Sequence, residues 1–267
     1  MKCLQVAQTD LFVSPIGLGT VKLGRNQGVK YPQGFELPND RQARELIAQA
    51  RDLGINLIDT APAYGISEER LGGLLHGQRH HWIICTKVGE EFEAGQSSFN
   101  FTPEHVRFSL ERSLRRLRTD VLDIVLVHSD GEDLRIIEQM GTLEALAQAQ
   151  QQGLIRAYGM STKTVAGGIA TLERADVAMA TYNLEHHEEE PVLDFARDQG
   201  KAVFVKKALA SGHLCLREGE DPVEASMDFL FRHQGVTSTI VGTINPEHLR
   251  HNVAAVNRAV SRHRPGI

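Results

Sequence analysis

Cysteine is scarce: the 267 residues hold three, Cys3, Cys85 and Cys215. An odd, scattered count provides neither a disulfide framework nor a zinc site. Cys85 lies inside an apolar run, where a thiol behaves as a small core side chain. No apolar stretch reaches the roughly 18 residues a bilayer span needs, and the segment MKCLQVAQTDLF lacks the apolar centre of a signal peptide. Basic residues do not dominate either. The 29 Lys and Arg stand against 34 Asp and Glu, giving a net charge of −5, and they gather into no stripe. A nucleic-acid partner is therefore not expected. With nine prolines and no linker-like change of composition, the chain reads as a single domain over residues 1–267. A chain of this length buries roughly 75% of the surface its unfolded form exposes, so it needs no staple. The expectation is a cytoplasmic protein without a membrane partner, monomeric or weakly oligomeric.

What is present is alternation. Short apolar runs recur at Ile16–Thr20, Ile55–Asp59, Trp82–Thr86, Leu122–Val127, Ile155–Met160, Val177–Thr181, Ala202–Val205 and Ser238–Val241. Helix-like periods separate them: Asp40–Leu53, Ser67–Leu75, Thr102–Leu117, Glu138–Gln151, Thr164–Arg174, Pro191–Gln199, Asp221–Phe231 and Pro246–Val260. Ala43, Leu46, Ile47 and Ala50 share one face of the first. T-P-E at Thr102 gives another a capping residue followed by proline at its first position. Continuously apolar strands alternating with helices imply a parallel sheet covered on both faces. Eight such units predict an α/β fold, a (β/α)₈ TIM barrel, with an open doubly wound sheet as the competitor. Cys3–Val6 and Leu11–Val13 add a short N-terminal β-hairpin that could close the barrel's bottom. The Gly/Pro-rich segment Gly28–Asn39 is a long loop and a candidate functional one.

Chemistry gathers at the ends of the second, third and fourth strands. INLI runs into Asp59, IICT into Lys87 and LVLV into His128. In a parallel barrel these strand ends are neighbours on the C-terminal face, where active sites form. Tyr64 follows Asp59 by five positions in DTAPAYG, close enough to fold over the same mouth. A strand must stop somewhere and polar stops are common, so one such residue means little. Three consecutive strands, with a tyrosine beside them, mean more.

The stretch INLIDTAPAYGISEERLG, with ICTKVG and LVHSDG downstream, resembles the aldo-keto reductase family. The likeness runs from SPIGLGT near the start to VGTINPEHLRHN near the end. It implies reduction of aldehydes or ketones to alcohols by hydride from NADPH, with NADH also possible. It implies Tyr64 as general acid, Lys87 lowering the phenol's pKa, Asp59 holding Lys87, and His128 orienting the carbonyl as neutral imidazole. Gly19 and Thr20 would meet the nicotinamide end and Ser161 its carboxamide. The loop KKALASG, with Lys207, Leu209 and Ser211, would wrap the pyrophosphate. Gly242, Thr243, His248 and Asn252 would hold the adenosine and any 2′-phosphate. No metal is implied.

The chain departs from the family pattern at Thr162, Met179 and Lys206, where asparagine, glutamine and a stacking aromatic are usual. Lys206 could instead reach the pyrophosphate as a point charge. Gly17, Gly19 and Gly24 are wrongly spaced for a G-x-G-x-x-G fingerprint, and Arg25-Asn26 stands where a P-loop needs Lys-Ser/Thr. A chain ending soon after its eighth helix would leave an open pocket. Its rim would be Tyr31, Phe35, Asp130, Glu132, Asp133 and Arg135, with Trp82 less favoured, and small or polar aldehydes would fit it. His80-His81, His186-His187 and the Glu188–Glu190 run read as exposed loop and helix-entry residues rather than ligands. Three other functions compete. A Schiff-base aldolase would use Lys87, Lys206 or Lys207; a metal-dependent hydrolase would need more ligands than Asp59 and His128; a nicotinamide-binding regulatory subunit would need no catalysis.

Overall fold

Apolar runs too short and too β-branched to be helices pair side by side and bury both faces. A computed structural model of the chain describes residues 1–29, 34–210 and 220–265. The barrel strands are β3 (Ile16–Gly19), β4 (Leu57–Asp59), β5 (Ile83–Val88), β8 (Leu122–His128), β9 (Ile155–Ser161), β10 (Val177–Thr181), β11 (Ala202–Lys206) and β12 (Val236–Val241). They form a closed eight-stranded barrel of parallel pairs, and β12 completes the ring by pairing Thr239 with Ile16 of β3. This is the (β/α)₈ barrel that the alternation predicts.

Helices cover the outside: α1 (Val21–Gly24), α2 (Asp40–Asp52), α3 (Ser67–Leu74), α4 (Pro103–Leu117), α5 (Asp133–Gln139), α6 (Thr142–Gln151), α7 (Val165–Arg174), α8 (Glu190–Gln199), α9 (Pro222–Arg232) and α10 (Pro246–His263). Their starts are written in the sequence. Asn39 and Gln42 form a capping box on α2, the Thr102 hydroxyl accepts from His105 N on α4, and Asp221 and Asn245 cap α9 and α10. One helix differs from expectation. The period over Glu138–Gln151 is broken at Gly141, whose φ of +68° ends one helix and begins another.

The core has two layers. One lies between strands and helices; the other fills the barrel lumen with Leu57, Cys85, Ile124, Leu126, Ala157, Met179 and Phe204. Val6, Leu11 and Val13, from the N-terminal hairpin of β1 (Leu4–Gln5) and β2 (Phe12–Val13), join that second layer with at most 1% exposure. The hairpin plugs the barrel, as expected. A second antiparallel hairpin, β6 (Glu90–Glu93) and β7 (Gln96–Phe99), follows β5 and was not anticipated. No helix among the described residues is long and apolar enough to cross a membrane.

Candidate active site

Barrel order places β4, β5 and β8 side by side, so Asp59, Lys87 and His128 leave the sheet at one end. Tyr64 reaches them because the DTAPAYG segment is tightly clamped. Pro62 starts one turn of 3₁₀ helix ending at Tyr64, and Gly65 turns out of it at φ +64°. The Gly65 backbone then lies against Gly24: a Cβ on Gly65 would sit 2.3 Å from the Gly24 carbonyl oxygen. Thr60 Oγ1 donates to Ser67 Oγ at 3.0 Å, Ser67 Oγ donates to Thr20 Oγ1 at 2.8 Å, and Arg25 donates to the Ala63 carbonyl at 3.0 Å. The signature thus reads as a local fold that holds one phenol still.

Lys87 is buried and donates to Asp59 Oδ1 at 2.6 Å and to the Thr60 carbonyl at 2.9 Å. Burial alone would push its proton off. The charges of Asp59, Tyr64 and Cys85 outweigh it and hold Lys87 well above the ordinary lysine range. The second Asp59 oxygen accepts from the Tyr64 hydroxyl at 3.4 Å, and the Lys87 ammonium lies 4.9 Å from the centre of the Tyr64 ring. His128 stands edge-on to Tyr64, with ring centres 6.4 Å apart. Burial is the largest influence on His128 and lowers its pKa; Lys87 and Lys206 reinforce that, and Glu90 opposes it.

These four side chains line a cavity of about 600 Å³. Its wall continues through Gly19, Thr20, Ser161, Met179, Lys206, Lys207, Leu209, Gly242, Thr243, His248 and Asn252. Expected cofactor positions therefore lie along one surface, with two exceptions. Thr162 is fully buried behind the wall, and its carbonyl accepts from Lys206 Nζ at 2.6 Å. Ser211 lies outside the described residues, as do Tyr31 and Cys215. Lys206 lies on that wall, and its ammonium also donates to Ser161 Oγ at 3.0 Å. Burial, set against the nearby Glu189, leaves Lys206 with a pKa of about 8.

The rim expected from Phe35, Asp130, Glu132, Asp133 and Arg135 does not line this cavity. Asp133 is buried instead, accepting from the Lys163 and Thr164 backbone amides and the Thr164 hydroxyl. Trp82 is buried at the start of β5, at the opposite end of the barrel. Sequence reasoning missed Val223 and His251, which contribute to the wall, and Glu90, which touches His128. The signal for Glu90 was the strand-like alternation of EEFEAGQSSF around an Ala-Gly turn.

The cavity wall carries Lys22, Lys87, Lys206 and Lys207 against one carboxylate, Asp59, among the described residues. In a protein of net charge −5 that is a local reversal of sign. Such a wall fits an elongated, phosphate-bearing ligand. Asp221, Glu224 and His251 form one cluster within metal-ligand reach. Asp221 already caps α9 and pairs with His251, and Glu224 pairs with Arg258.

The aldo/keto reductase family model matches residues 15–220. A protein of Pseudomonas aeruginosa, solved under an aldo-keto reductase assignment, is 55% identical over 97% of this chain and 95% of its own, with a TM-score of 0.88. The holo form of an aldo-keto reductase from Bacillus halodurans is 28% identical over 96% and 91%, with a TM-score of 0.80. An Escherichia coli protein named NADH-specific methylglyoxal reductase is 27% identical, covering 96% of this chain and 94% of its own. The chain belongs to the aldo/keto reductase family.

Proposed function

We propose that this protein reduces small aldehydes or ketones to alcohols using NADPH, with Tyr64 as the proton donor. One observation carries the reading: Tyr64, Asp59, Lys87 and His128 converge on one cavity whose wall also carries Lys22, Lys206 and Lys207. The nicotinamide, when bound, supplies the hydride. The protein's own groups handle the proton. A substrate oxygen held between Tyr64 and His128 takes the phenolic proton, and the buried Lys87 cation stabilises the negative charge left on the phenol oxygen. Asp59 keeps Lys87 in place, and its long 3.4 Å contact with the phenol leaves that proton transferable.

The wall beyond the four residues suits the dinucleotide. Ser161 offers a hydroxyl to the carboxamide, the turn at Lys207 to Leu209 offers backbone amides and a cation to the phosphates, and Thr243, His248 and Asn252 close the far end. Titration with NADPH and NADH in parallel measures which of the two the protein takes. The two described cysteines are unpaired, which suits a reducing cytoplasmic compartment.

Tyr64→Phe tests the reading. The variant is expected to lose at least about a hundredfold in kcat, the low end for general acid catalysis, with cofactor affinity unchanged. Near-normal turnover of an aldehyde panel by the variant would remove Tyr64 from the mechanism. Lys206 supports a second reading, because a part-buried lysine on the cavity wall with a pKa of about 8 is also what a Schiff-base lyase requires. Borohydride trapping of substrate on Lys206, without cofactor oxidation, would establish that reading instead.

A further inference from the structure

The end of β11 puts a cation beside the reacting part of the cavity. Lys206 closes that strand and lines the same wall as Tyr64 and His128. Its ammonium donates to Ser161 Oγ at 3.0 Å and to the Thr162 carbonyl at 2.6 Å, which fixes its position. β10 stands between β9 and β11, so the Lys206 side chain reaches across it to do so. Ser161 ends β9, and its register partner is His128 at the end of β8. The wall therefore runs from His128 through Ser161 to the Lys206 ammonium.

Nothing in contact with that charge neutralises it. Both acceptors are uncharged. Two carboxylates whose fields reach Lys206 are engaged elsewhere: Glu189 accepts from the Thr181 amide, and Asp133 accepts from the Lys163 and Thr164 amides. Lys207 and Lys163 act on it in the opposite sense, and its own charge reaches the His128 ring.

A nicotinamide ring is neutral when reduced and becomes a pyridinium cation once its hydride has gone. On the reductase reading, that ring faces a carbonyl whose oxygen lies between Tyr64 and His128, and Ser161 serves its carboxamide. Any group hydrogen-bonded to Ser161 Oγ lies within two hydrogen-bond lengths, about 6 Å, of the Lys206 ammonium. A like charge at that range disfavours the oxidised ring and has no net charge to act on in the reduced one. We infer that Lys206 is a specificity-determining residue that makes the protein discriminate between the oxidation states of its nicotinamide cofactor, retaining the reduced form and releasing the oxidised one. The inference rests on the reductase reading and deepens it. Bound reduced cofactor becomes a weaker hydride donor than it would be without the lysine, and the oxidised product leaves more readily. The arrangement favours turnover wherever product release limits the rate. It also carries a pH dependence. Burial, set against Glu189, leaves Lys206 with a pKa of about 8, so the discriminating charge is present below that value and lost above it.

The test compares dissociation constants for NADP⁺ and NADPH, measured by calorimetry on the full-length wild type, Lys206→Met, Lys206→Gln and Lys206→Arg. The two ligands share their phosphates and adenosine, so the ratio of their constants cancels those contacts and any general loosening of the site. At pH 7, Met or Gln is expected to lower the ratio of Kd for NADP⁺ to Kd for NADPH by about tenfold, mostly through tighter NADP⁺. That is the scale of one unit charge acting across several ångströms of partly solvated site. Lys206→Arg should keep the wild-type ratio. Between pH 7 and pH 9.5 the wild-type ratio should fall toward that of Lys206→Met. A ratio unchanged in both Lys206→Met and Lys206→Gln overturns the inference. So does a wild-type ratio that stays constant with pH, a measurement that needs no variant to fold. Dinucleotide binding with an unchanged ratio removes only this role of Lys206, whereas a wild type that binds neither form sinks the reductase reading as well.

Discussion

Lys87, buried, and Lys206, part-buried, meet opposite fates on the wall of the same cavity. Lys87 has a carboxylate at 2.6 Å and is held charged. Lys206 has only a hydroxyl and a carbonyl as partners, Ser161 Oγ and Thr162 O, and its pKa falls from 10.5 to about 8. A hydrogen-bond acceptor without charge does not repay desolvation of an ammonium. The sign of the resulting pH dependence follows. Below about pH 8 Lys206 is charged in both folded and unfolded states, and the burial penalty is fully present. Above the unfolded value of 10.5 it is neutral in both, and the penalty is gone. Stability of the wild type relative to Lys206→Met should therefore rise across that window, by about 1–3 kcal/mol after allowance for partial solvent access. Urea denaturation of both proteins at pH 7.5 and 10 measures it. An unchanged difference would mean that Lys206 keeps its proton.

At the scale of elements, the Tyr64 segment is a spacer problem. Gly24 ends α1 where a Cβ would sit 2.2 Å from Ser67 N and 2.3 Å from the Tyr64 carbonyl. Both obstacles are backbone, so neither can swing aside. Gly24→Ala must push the 62–67 segment away from the barrel mouth. It is expected to cost about 1–3 kcal/mol of stability and to lower kcat about tenfold or more, with cofactor affinity little changed, since a misplaced acid is costly. Steady-state kinetics beside a cofactor titration separates the two effects. Equal losses in both would place the damage in the whole barrel rather than at the tyrosine. This contact also shows what was legible in the sequence. The D-T-x-x-x-Y-G block and the polar ends of β4, β5 and β8 announced themselves, because polar residues interrupting apolar runs are visible in one dimension. Glu90 did not. Its short hairpin has only two large apolar residues, Phe92 and Phe99, so its alternation is faint, and its meeting with His128 depends on a left-handed Gly89. Asp133 misled for the opposite reason: among SDGEDLR it looks like surface, yet backbone amides of the next loop bury it. The split between α5 and α6 was missed because apolar spacing continues through Gly141, and only its φ breaks the helix.

For the whole molecule, the barrel sorts charge. The chain carries a net −5, but strand ends and loops converge on a wall with four lysines and one aspartate, that aspartate already paired to Lys87. Acidic residues elsewhere are spent on helix caps and surface pairs, such as Asp221 on α9 and Glu45 with Arg41. A cleft lined by one sign of charge, with low-dielectric walls, concentrates its potential on a ligand of the other sign. If the lysines meet phosphates, cofactor affinity should weaken as salt screens them, by roughly tenfold between low ionic strength and about 0.5 M. Lys207→Gln should weaken binding most at low salt and flatten the dependence, because a screened contact has less left to lose. Fluorescence titration of NADPH into both proteins across a salt series reads both effects. The melting temperature without cofactor serves as the control for general salt effects on the fold. A wild-type affinity indifferent to salt would mean that the cationic wall faces something other than phosphate.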